Sequence, residues 1–410
     1  MKTKTFLLVS LLCLSTVAIA PNAGAATLEL LKPEAADLVT STLTQADVPE
    51  GVAAPTNEPV RMVWALDQQT VLAERPAPPF AESRSYWFSA SAAELEAGVG
   101  IDATAAAAVV RINPLDQGGI SLDPQTFEII DPAERTLTAD ESMEYLVSSE
   151  QLAASDNPFP EGTAAFRLRP ELGSGRFVLR APLPKIDGSS RFVIHVFEPE
   201  SAVVARLALA AGAILEGRPV EAAATLSSTS LNNRPTTAEA FLIAPDGRRT
   251  ALRLDGNLVA LAVVDRTVPG GGLWEIEFRL SGSTKHGFVR RTVRSAFSVA
   301  AATARLDGRV KIVEAGDLTV RLGVDSAATG RYEIRSVLWG TGTDGAIVPI
   351  AVAHSAASFG AGRRELELVF DEKLLSASGT SAPYELRDLQ LTDQTRMGVL
   401  HRQARALVIE

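Results

Sequence analysis

An Ala-His-Ser-Ala-Ala sequence around Ser355 resembles a nucleophile elbow in which alanines replace the usual glycines. Ser355 would then be the nucleophile, with His354 or His401 as its base and a distant aspartate. An elbow needs a helix directly after the serine, because the helix bends the chain and its dipole stabilises developing negative charge. Gly360 and Gly362 oppose such a helix. The pattern therefore favours a serine in a β-turn beside a satisfied histidine, and a serine hydrolase is the alternative.

A glycine-rich stretch, Gly340-Thr341-Gly342-Thr343-Asp344-Gly345, matches the dinucleotide fingerprint G-x-G-x-x-G and follows a strand-like run. That fingerprint binds phosphate through the amides of a helix N-terminus, so a helix has to begin at the glycines. The next residues, Ala346-Ile347-Val348-Pro349-Ile350-Ala351-Val352, are instead typical of a strand. We therefore predict a hairpin loop here and no bound cofactor.

Metal ligation has weak support in the sequence. Zinc sites take three or four His, Asp or Glu ligands, and two of them are commonly close in sequence. The four histidines are widely separated and form no such pair: His195, His286, His354 and His401. Calcium leaves no linear signature, because its carboxylate and carbonyl ligands can come from distant strands. Asp388 and Asp393 are the calcium candidates, and surface solvation is the favoured interpretation of both.

The four tryptophans have two interpretations. They lie in or beside alternating strands, at Trp64, Trp87, Trp274 and Trp339. Exposed rings would form sugar-stacking platforms, whereas rings at inward positions would fill protein cores. Core packing is the favoured interpretation.

An arginine-rich hairpin from Trp274 to Val299 stands out in this acidic protein. Alternation turns charged residues of both strands outward, namely Glu275, Glu277, Arg290 and Arg294. Either plausible register places a glutamate opposite an arginine, and such an exposed pair contributes about 0.2–1 kcal/mol. We therefore interpret the cluster as a solvated sheet face rather than an anion site. Arg291 breaks the alternation, which predicts a β-bulge at that position.

The N-terminus has the pattern of a secretory signal peptide. Lys2 and Lys4 precede an apolar run from Phe6 to Ala20, and Ala23-Gly24-Ala25 follows as a small-residue cleavage site. We expect the mature chain to begin near Ala26 and to be exported to the periplasm or the extracellular space. A retained membrane anchor is the alternative, but the run is short for a span and no second apolar stretch of membrane length follows.

The mature chain is acidic and lacks thiols. Cys13, the only cysteine, lies inside the apolar run, so the exported protein has no disulfide and depends on core burial. Without Lys2 and Lys4 it carries 37 basic and 49 acidic residues. This negative charge repels polyanions, which excludes nucleic acid and acidic membrane surfaces as expected partners.

The chain of 410 residues is long enough for several domains. We predict a mostly β fold of tandem antiparallel β-sandwich domains, with one or two short helices in the N-terminal domain. The predicted segments are a signal peptide (1–25), a Pro/Ala-rich extended arm that packs on the next domain (26–80), an N-terminal β-rich domain (81–200), a central immunoglobulin-like sandwich (201–299) and a C-terminal sandwich (300–410). Ser91 and Glu94 suggest a capping box for a helix that Gly98 ends, and a second helix is predicted over 140–153. In the last segment, the run 384–391 is predicted to alternate as a strand.

Five short motifs resemble a bacterial secreted family known as the domain of unknown function numbered four-seven-eight-five. They are Ser85-Tyr86-Trp87, Ile194-His195-Val196-Phe197-Glu198-Pro199, Ala244-Pro245-Asp246-Gly247-Arg248, Gly272-Leu273-Trp274-Glu275 and Ala382-Pro383-Tyr384-Glu385-Leu386-Arg387-Asp388-Leu389. The resemblance implies export and an immunoglobulin-like middle domain. It implies no catalytic residues.

These observations favour an exported, non-catalytic binding or structural protein that takes an unknown protein or glycan ligand. One alternative is a secreted hydrolase or carbohydrate-active protein with a site between domains, in which replacing Ser355 and the four histidines would abolish activity. Another is a calcium-stabilised adhesive module, whose melting temperature would fall with a chelator because calcium would bind only the folded state. A cleft with convergent polar groups between the first two domains would indicate a site, whereas a closed, flat interface there would favour a structural scaffold.

Overall fold

The computed structural model describes residues 25–50, 58–115, 120–153, 161–183, 186–227, 237–268, 272–284 and 287–410. Strand accounts for 57% of the structure and helix for 8%. The predicted mostly β fold with several antiparallel sheets is therefore confirmed. Residues 1–24 of the predicted signal peptide and His286 lie outside the described residues.

The N-terminal half of the chain contains short strands and short helices. The arm contributes β1 (Ala25–Glu29), β2 (Leu38–Val39), β3 (Val60–Ala65) and β4 (Phe80–Ser83). The next strands are β5 (Ser85–Ser91), β6 (Val99–Ala103), β7 (Val109–Pro114), β8 (Glu128–Ile130), β9 (Thr136–Leu137), β10 (Met143–Val147), β11 (Ala164–Leu168), β12 (Gly175–Arg180) and β13 (Arg191–Phe197). The helices among them are α1 (Ala92–Ala97), α2 (Ala139–Ser142) and α3 (Ser149–Ala153).

Strands β5 to β13 form two antiparallel sheets around one core. One sheet has the order β10-β11-β7-β13-β5 and the other has the order β6-β12-β8-β9. Buried rings fill the space between the sheets, including Phe127, Phe166, Phe177 and Phe192. Alternation places these rings inward, and their burial stabilises the unit in the absence of disulfides.

One helix prediction for this unit is confirmed and the other is correct only at its ends. The capping box is present, because Ser91 accepts from the Glu94 amide and the Glu94 carboxylate accepts from the Ser91 amide. The range 140–153 is helical at its two ends, in α2 and α3, but a strand interrupts it. Met143 is fully buried and begins β10, which pairs with β11, so tertiary pairing overrides the local helical pattern in the middle of the range.

The central unit is a second two-sheet sandwich. Its strands are β14 (Val204–Leu209), β15 (Ala213–Leu215), β16 (Pro219–Ser227), β17 (Thr237–Ile243), β18 (Arg249–Leu252), β19 (Val259–Val263), β20 (Trp274–Thr284) and β21 (Gly287–Ala300). The sheets have the orders β19-β16-β14-β4 and β15-β21-β20-β17-β18. Trp274, Phe278 and Phe297 are buried in the core between them.

The arginine-rich hairpin of this unit is β20–β21. Glu277 lies directly opposite Arg294, which confirms the predicted facing of glutamate and arginine. The exposure differs from the prediction, because Glu277 is buried beneath the guanidinium groups of Arg249, Arg279 and Arg294, which it binds at 2.5, 2.8 and 2.5 Å. The carboxylate of Glu277 thus already balances part of the positive charge of these arginines.

The C-terminal unit has the longest strands. They are β22 (Ala304–Ala315), β23 (Asp317–Ser326), β24 (Gly330–Thr341), β25 (Ile347–Phe359), β26 (Gly362–Phe370), β27 (Ser381–Asp393) and β28 (Gly398–Ile409), with helix α4 (Glu372–Ser378) between β26 and β27. One sheet has the order β1-β22-β23-β26 and the other β2-β28-β27-β24-β25-β3. A third hydrophobic core lies between the sheets and includes Tyr332, Leu368 and Phe370.

The arm pairs with the far end of the chain, so its predicted packing on residues 81–200 is wrong. Strand β1 pairs with β22, β2 pairs with β28 and β3 pairs with β25, all in the C-terminal unit. Only β4 differs among the arm strands, because it pairs with β14 of the central sandwich. Open sheet edges present unpaired backbone groups, and the arm satisfies them over a sequence separation that local patterns do not encode.

Arg291 joins the first unit to the central one, and the bulge predicted there is wrong. Its strand keeps register, with Arg291 opposite Leu280, and its side chain is buried on the inward side. Its guanidinium binds the buried Glu198 carboxylate at 2.6 Å and the Ser201 hydroxyl at 2.7 Å. Glu198 also accepts from the backbone amide of Thr104 at 2.6 Å. The two charges therefore satisfy each other inside the junction between the units.

In the part of the chain that the structure describes, no helix is both long and apolar enough to cross a bilayer.

Replacement of Glu198 by alanine tests this junction. The Glu198→Ala variant leaves a buried arginine without its counter-charge, so we expect a loss of about 3–5 kcal/mol in unfolding free energy, measured by urea denaturation. Glu82 forms a partly exposed pair with Arg206 on neighbouring strands, at 2.7 Å. Glu82→Ala is the matched control and should cost no more than about 1 kcal/mol. Equal losses for the two variants would show that the buried pair does not stabilise the junction.

Candidate ligand-binding cleft of the C-terminal sheet

The six-stranded sheet of the C-terminal unit has one inward face and one outer face. Cross-strand partners on the outer face form a row of Met62, His354, Arg335, Gln390 and Arg402. A neighbouring row contains Trp64, Val352, Val337, Arg387 and Arg405. Inward positions carry the core leucines and alanines, so alternation gathers charged and aromatic side chains on the outer face.

A β-bulge in β27 brings two consecutive charged residues to this face. Leu386 and Leu389 are both fully buried, so Arg387 and Asp388 between them both turn outward. Pairing with β28 shifts register between Leu386 and Arg387, and Asp388 has a φ of 50°. The alternation predicted for 384–391 is therefore wrong at this point. Bulges next to binding sites commonly re-aim side chains in this way.

Asp388 is held between arginines of two neighbouring strands. Its carboxylate binds Arg335 of β24 and Arg402 of β28, each at 2.8 Å. Gln390 donates to both carboxylate oxygens at 3.1 Å. These contacts fix Asp388 in its left-handed backbone conformation, and each of its carboxylate oxygens accepts from one arginine and from Gln390.

Glu385 is the second carboxylate of this face. It binds Arg405 at 2.5 Å and Arg387 at 2.8 Å. Burial alone would raise the pKa of Glu385, but the hydrogen bonds from the two arginines outweigh it and hold the pKa below its usual value. Glu385 therefore stays ionised and is a poor proton donor at neutral pH.

Trp339 lies beside these charges, half-buried on β24. The guanidinium carbon of Arg387 lies 4.6 Å from the centre of its ring, which is the geometry of a cation–π contact. Its indole Nε1 is buried and has no acceptor among the described residues. The ring, rather than this N–H group, is therefore the part of Trp339 that the cleft exposes.

The arm forms the second wall. Leu72, Arg75 and Pro76 line a cavity of about 650 Å³ together with Trp339 and residues of β24, β27 and β28. Arg75 is fixed by Glu34 at 2.5 Å and lies 3.5 Å from Asp37. We call this cavity the arm-walled cleft. Its volume falls in the range of about 300–1,000 Å³ that is typical of ligand pockets.

The residues of the predicted hydrolase do not meet. Ser355 is buried in mid-strand, not in a turn, and points inward, whereas its neighbour His354 points outward. His354 instead contacts Glu333 at 2.6 Å and the Trp64 ring at 5.3 Å. His401 shares the inward row of Ser355 but lies three strands away, about 14 Å at the usual strand spacing. A serine triad among these residues is therefore ruled out by the fold.

The other candidates from the sequence are also accounted for. The glycine-rich stretch forms the predicted loop of the β24–β25 hairpin, since Gly345 donates its amide to Gly342. Asp393 is buried, contrary to the predicted surface position, and binds Thr303 and Arg396 at 2.7 Å each. Within the described ranges, no group of three or more His, Cys, Asp or Glu side chains is arranged to hold a metal.

The tryptophans divide between core and surface. Trp274 is buried in the central sandwich, which confirms core packing for that residue. Trp64 is 48% exposed on the edge strand β3, so its predicted core position is wrong. Trp87 and Trp339 are half-buried, and Trp87 lies 4.8 Å from the guanidinium of Arg294 at the junction of the first two units.

The junction itself offers little space for a ligand. A shallow depression of about 240 Å³ lies there, lined by Phe88, Glu94, Arg176 and Arg290. The buried pair of Arg291 and Glu198 closes the interface beside it. A polar cleft of about 650 Å³ lies instead in the C-terminal unit, where the sequence analysis predicted no site. The sequence contains one indication of the bulge beneath this cleft. Leu386, Leu389 and Leu391 are three and then two residues apart, which departs from the two-residue period of a regular strand.

Fold and cleft together define a multi-sandwich β protein whose N-terminal arm walls a polar cleft on its last sandwich. The chain belongs to the family of the domain of unknown function DUF4785. The model of its N-terminal domain matches residues 52–198, and the model of its C-terminal domain matches residues 303–410. The resemblance noted in the sequence is thereby confirmed.

A crystal structure of a DUF4785 family protein from Legionella pneumophila superposes with a TM-score of 0.72 and 21% sequence identity, over 90% of this chain and 98% of that chain. At this identity the similarity shows the fold. A structure titled pT26-6p (TM-score 0.18, 10% identity, 52% of this chain and 63% of that chain) and the adhesin domain of Epf from Streptococcus pyogenes (0.15, 11%, 65% and 97%) are too distant to support any argument. No curated protein matches the chain significantly.

His195 makes the stability of the first unit depend on pH. It lies half-buried with its ring 6.1 Å from that of Trp87, and burial followed by the positive charge of Arg111 lowers its pKa to about 4. Unfolded histidine titrates near 6.5, so between pH 6.5 and 4 the unfolded chain binds more protons and stability is lost as the pH falls. We expect His195→Gln to flatten the fall in melting temperature over this range, measured by calorimetry. An unchanged slope would contradict the assignment.

Proposed function

We propose that this protein is an exported, non-catalytic binding protein and that a glycan occupies its arm-walled cleft. The observation that carries the proposal is the bulge at Asp388, which gathers Arg387 and Asp388 beside Trp339 inside a cavity of about 650 Å³. A bulge in a central strand disrupts the hydrogen-bond ladder, so its position beneath the cleft favours a role in binding.

The chemistry of the cleft favours binding over catalysis. The two carboxylates on the sheet, Asp388 and Glu385, are each paired with two arginines, and the pKa of Glu385 is lowered rather than raised. A general acid needs a carboxyl group that holds its proton near neutral pH. Ser355, the candidate nucleophile, points into the core on the opposite face of the sheet.

A glycan fits the mixture of side chains. Planar guanidinium, carboxylate and amide groups donate and accept hydrogen bonds in pairs, which matches the neighbouring hydroxyls of a sugar ring. Trp339 adds half-buried aromatic surface, which suits the apolar face of a sugar ring. The fixed arm and sheet preorganise these groups, so little ordering is required on binding.

Export rests on the N-terminal pattern of two lysines, an apolar run and a small-residue cleavage site. In a bacterium that expresses the gene, we expect the protein in the periplasm or the medium with an N-terminus near Ala26, as determined by fractionation and intact mass. Replacing Leu11 and Leu12 by arginine interrupts the apolar run and should retain the full-length chain in the cytoplasm. Cytoplasmic accumulation of the unaltered chain would contradict export.

Loss of the Trp339 ring tests the site. On an array of bacterial and host oligosaccharides, we expect the mature protein to bind a defined subset and Trp339→Ala to lose that binding by tenfold or more, since a buried aromatic contact is worth about 1–3 kcal/mol. Trp64→Ala removes an exposed ring from the same face outside the cleft and should bind normally. Equal loss in both variants, or binding by neither variant nor the unaltered protein, would refute the proposed site.

A further inference from the structure

We propose that the outer face of the C-terminal sheet carries a site for a soft monovalent metal ion, copper(I), bound by the Met62 sulfur and by Nε2 of His354. Trp64 flanks this site and Glu333 orients the histidine. We call these four residues the edge site, because Met62 and Trp64 lie on the edge strand β3. The lining of the arm-walled cleft contains none of them, so the edge site is separate from the proposed glycan site.

Met62 and His354 are direct cross-strand partners in the antiparallel pair of β3 and β25. Both side chains point to the outer face, since their chain neighbours Val63, Ala353 and Ser355 pack toward the inside of the sandwich. Side chains directly opposite each other on one face have Cβ atoms about 4.5–5.5 Å apart. Met62 is unbranched, flexible and 47% exposed, so its sulfur can approach the imidazole.

Hydrogen bonding holds the His354 ring in the form that a metal requires. Its Nδ1 lies 2.6 Å from the carboxylate of Glu333, and an ionised carboxylate only accepts, so Nδ1 carries the proton and Nε2 keeps its lone pair. Gln394 donates to the other oxygen of Glu333 at 2.7 Å and holds the carboxylate in place. Among the described residues, no hydrogen bond engages Nε2. Histidines that bind metals commonly donate their other N–H to a carboxylate in this way.

The order of the strands directs Nε2 toward Met62. Glu333 belongs to β24 and Met62 to β3, and these strands flank β25 on opposite sides. The two nitrogens of an imidazole point to nearly opposite sides of the ring, so a ring whose Nδ1 faces β24 presents Nε2 on the side of β3. The sulfur and the available nitrogen therefore converge at the edge of the sheet.

Trp64 adds an aromatic ring from the same strand as Met62. The centre of its ring lies 5.3 Å from that of the His354 ring, and the two planes cross at 80°. An ion bound at Nε2 thus lies beside an indole, which is the aromatic group that attracts cations most strongly. The net charge of −10 also attracts a cation to this protein.

The donor atoms select a soft ion. Thioether sulfur is a good ligand for copper(I) and a poor one for calcium or magnesium, and imidazole also binds copper. Closed-shell ions such as copper(I) and silver(I) accept low coordination numbers, so one sulfur and one nitrogen suffice. Zinc and calcium take larger sets of nitrogen, oxygen or thiolate ligands, and the described ranges contain no group of three or more His, Cys, Asp or Glu side chains that could hold them.

Nuclear magnetic resonance of the mature protein with silver(I), a redox-inert substitute for copper(I), tests the edge site. We expect silver(I) to shift the Nε2 resonance of His354 and the methyl resonance of Met62 together. Met62→Leu and His354→Gln assign these resonances, and each removes one ligand atom from a surface position. Each variant should weaken silver(I) binding at least as much as the loss of an orienting partner does, which is about tenfold. Copper(I) affinity, measured by competition with a chromogenic chelator, should fall in parallel.

Two further variants make the result specific. Met397→Leu is the matched control, because Met397 is 82% exposed on a hairpin turn of the same unit, and it should leave both affinities unchanged. Glu333→Ala tests the orienting carboxylate and should weaken silver(I) binding by about tenfold. It should also let the proton of His354 move between the two ring nitrogens, which their nitrogen shifts report and which a purely structural role of Glu333 would not change.

Three results would overturn the edge site. Silver(I) that shifts neither resonance shows that no site exists. A shift of His354 alone, with unchanged affinity in Met62→Leu, identifies an adventitious histidine ligand only. Equal losses in Met62→Leu and Met397→Leu would show that silver(I) binds exposed methionines without selecting this face.

Discussion

The β-bulge in β27 inserts one extra residue and determines which side chains the outer face of the C-terminal sheet presents. Because Leu386 and Leu389 both enter the core, Arg387 and Asp388 must both leave it. Asp388 adopts a φ of 50°, which costs on the order of 1 kcal/mol for a residue other than glycine. The ion pairs with Arg335 and Arg402 offset that cost, and in doing so they bind three neighbouring strands into one rigid floor.

The outer face of the sheet alone would be flat, and the arm forms the wall that makes it a cleft. Residues 25–65 pair with both sheets of the last unit, and the chain then crosses the outer face before entering the central sandwich at β4. Within the arm, the pair between Glu34 and Arg75 joins the crossing segment to the part of the arm that precedes β2. At the other junction, the buried pair of Arg291 and Glu198 fixes the first unit to the central one. The last unit is thus joined to the arm by strand pairing, and the first unit to the central one by a buried charged pair.

Local patterns in the sequence predict much of the fold. The prediction fails where the inward or outward direction of a side chain does not follow simple alternation. The capping box at Ser91 and the facing of Glu277 and Arg294 follow from period and spacing alone. A break in alternation has two physical outcomes, a bulge or an inward-pointing charge. Arg291 was predicted to bulge but points inward, because Glu198, almost a hundred residues earlier, provides a buried partner. At Asp388 the reverse holds, since a bulge is present where simple alternation was predicted.

The binding cleft was beyond local prediction for a related reason. Strand pairing brings Arg75, Trp339 and Arg402 together although hundreds of residues separate the first from the others. The residues that looked chemical, Ser355 and His354, are neighbours in sequence and therefore point to opposite faces of a strand. The chemistry available to this fold thus depends on cross-strand rows and on the arm, which are properties of the tertiary structure.

A crystal structure of the protein soaked with an oligosaccharide that it binds on the array tests the central claim most directly. The account predicts the sugar in the arm-walled cleft, with one ring face against Trp339, with its hydroxyls within about 3.2 Å of polar side chains of the sheet, and with the arm in place. Density for the sugar elsewhere on the molecule would contradict it.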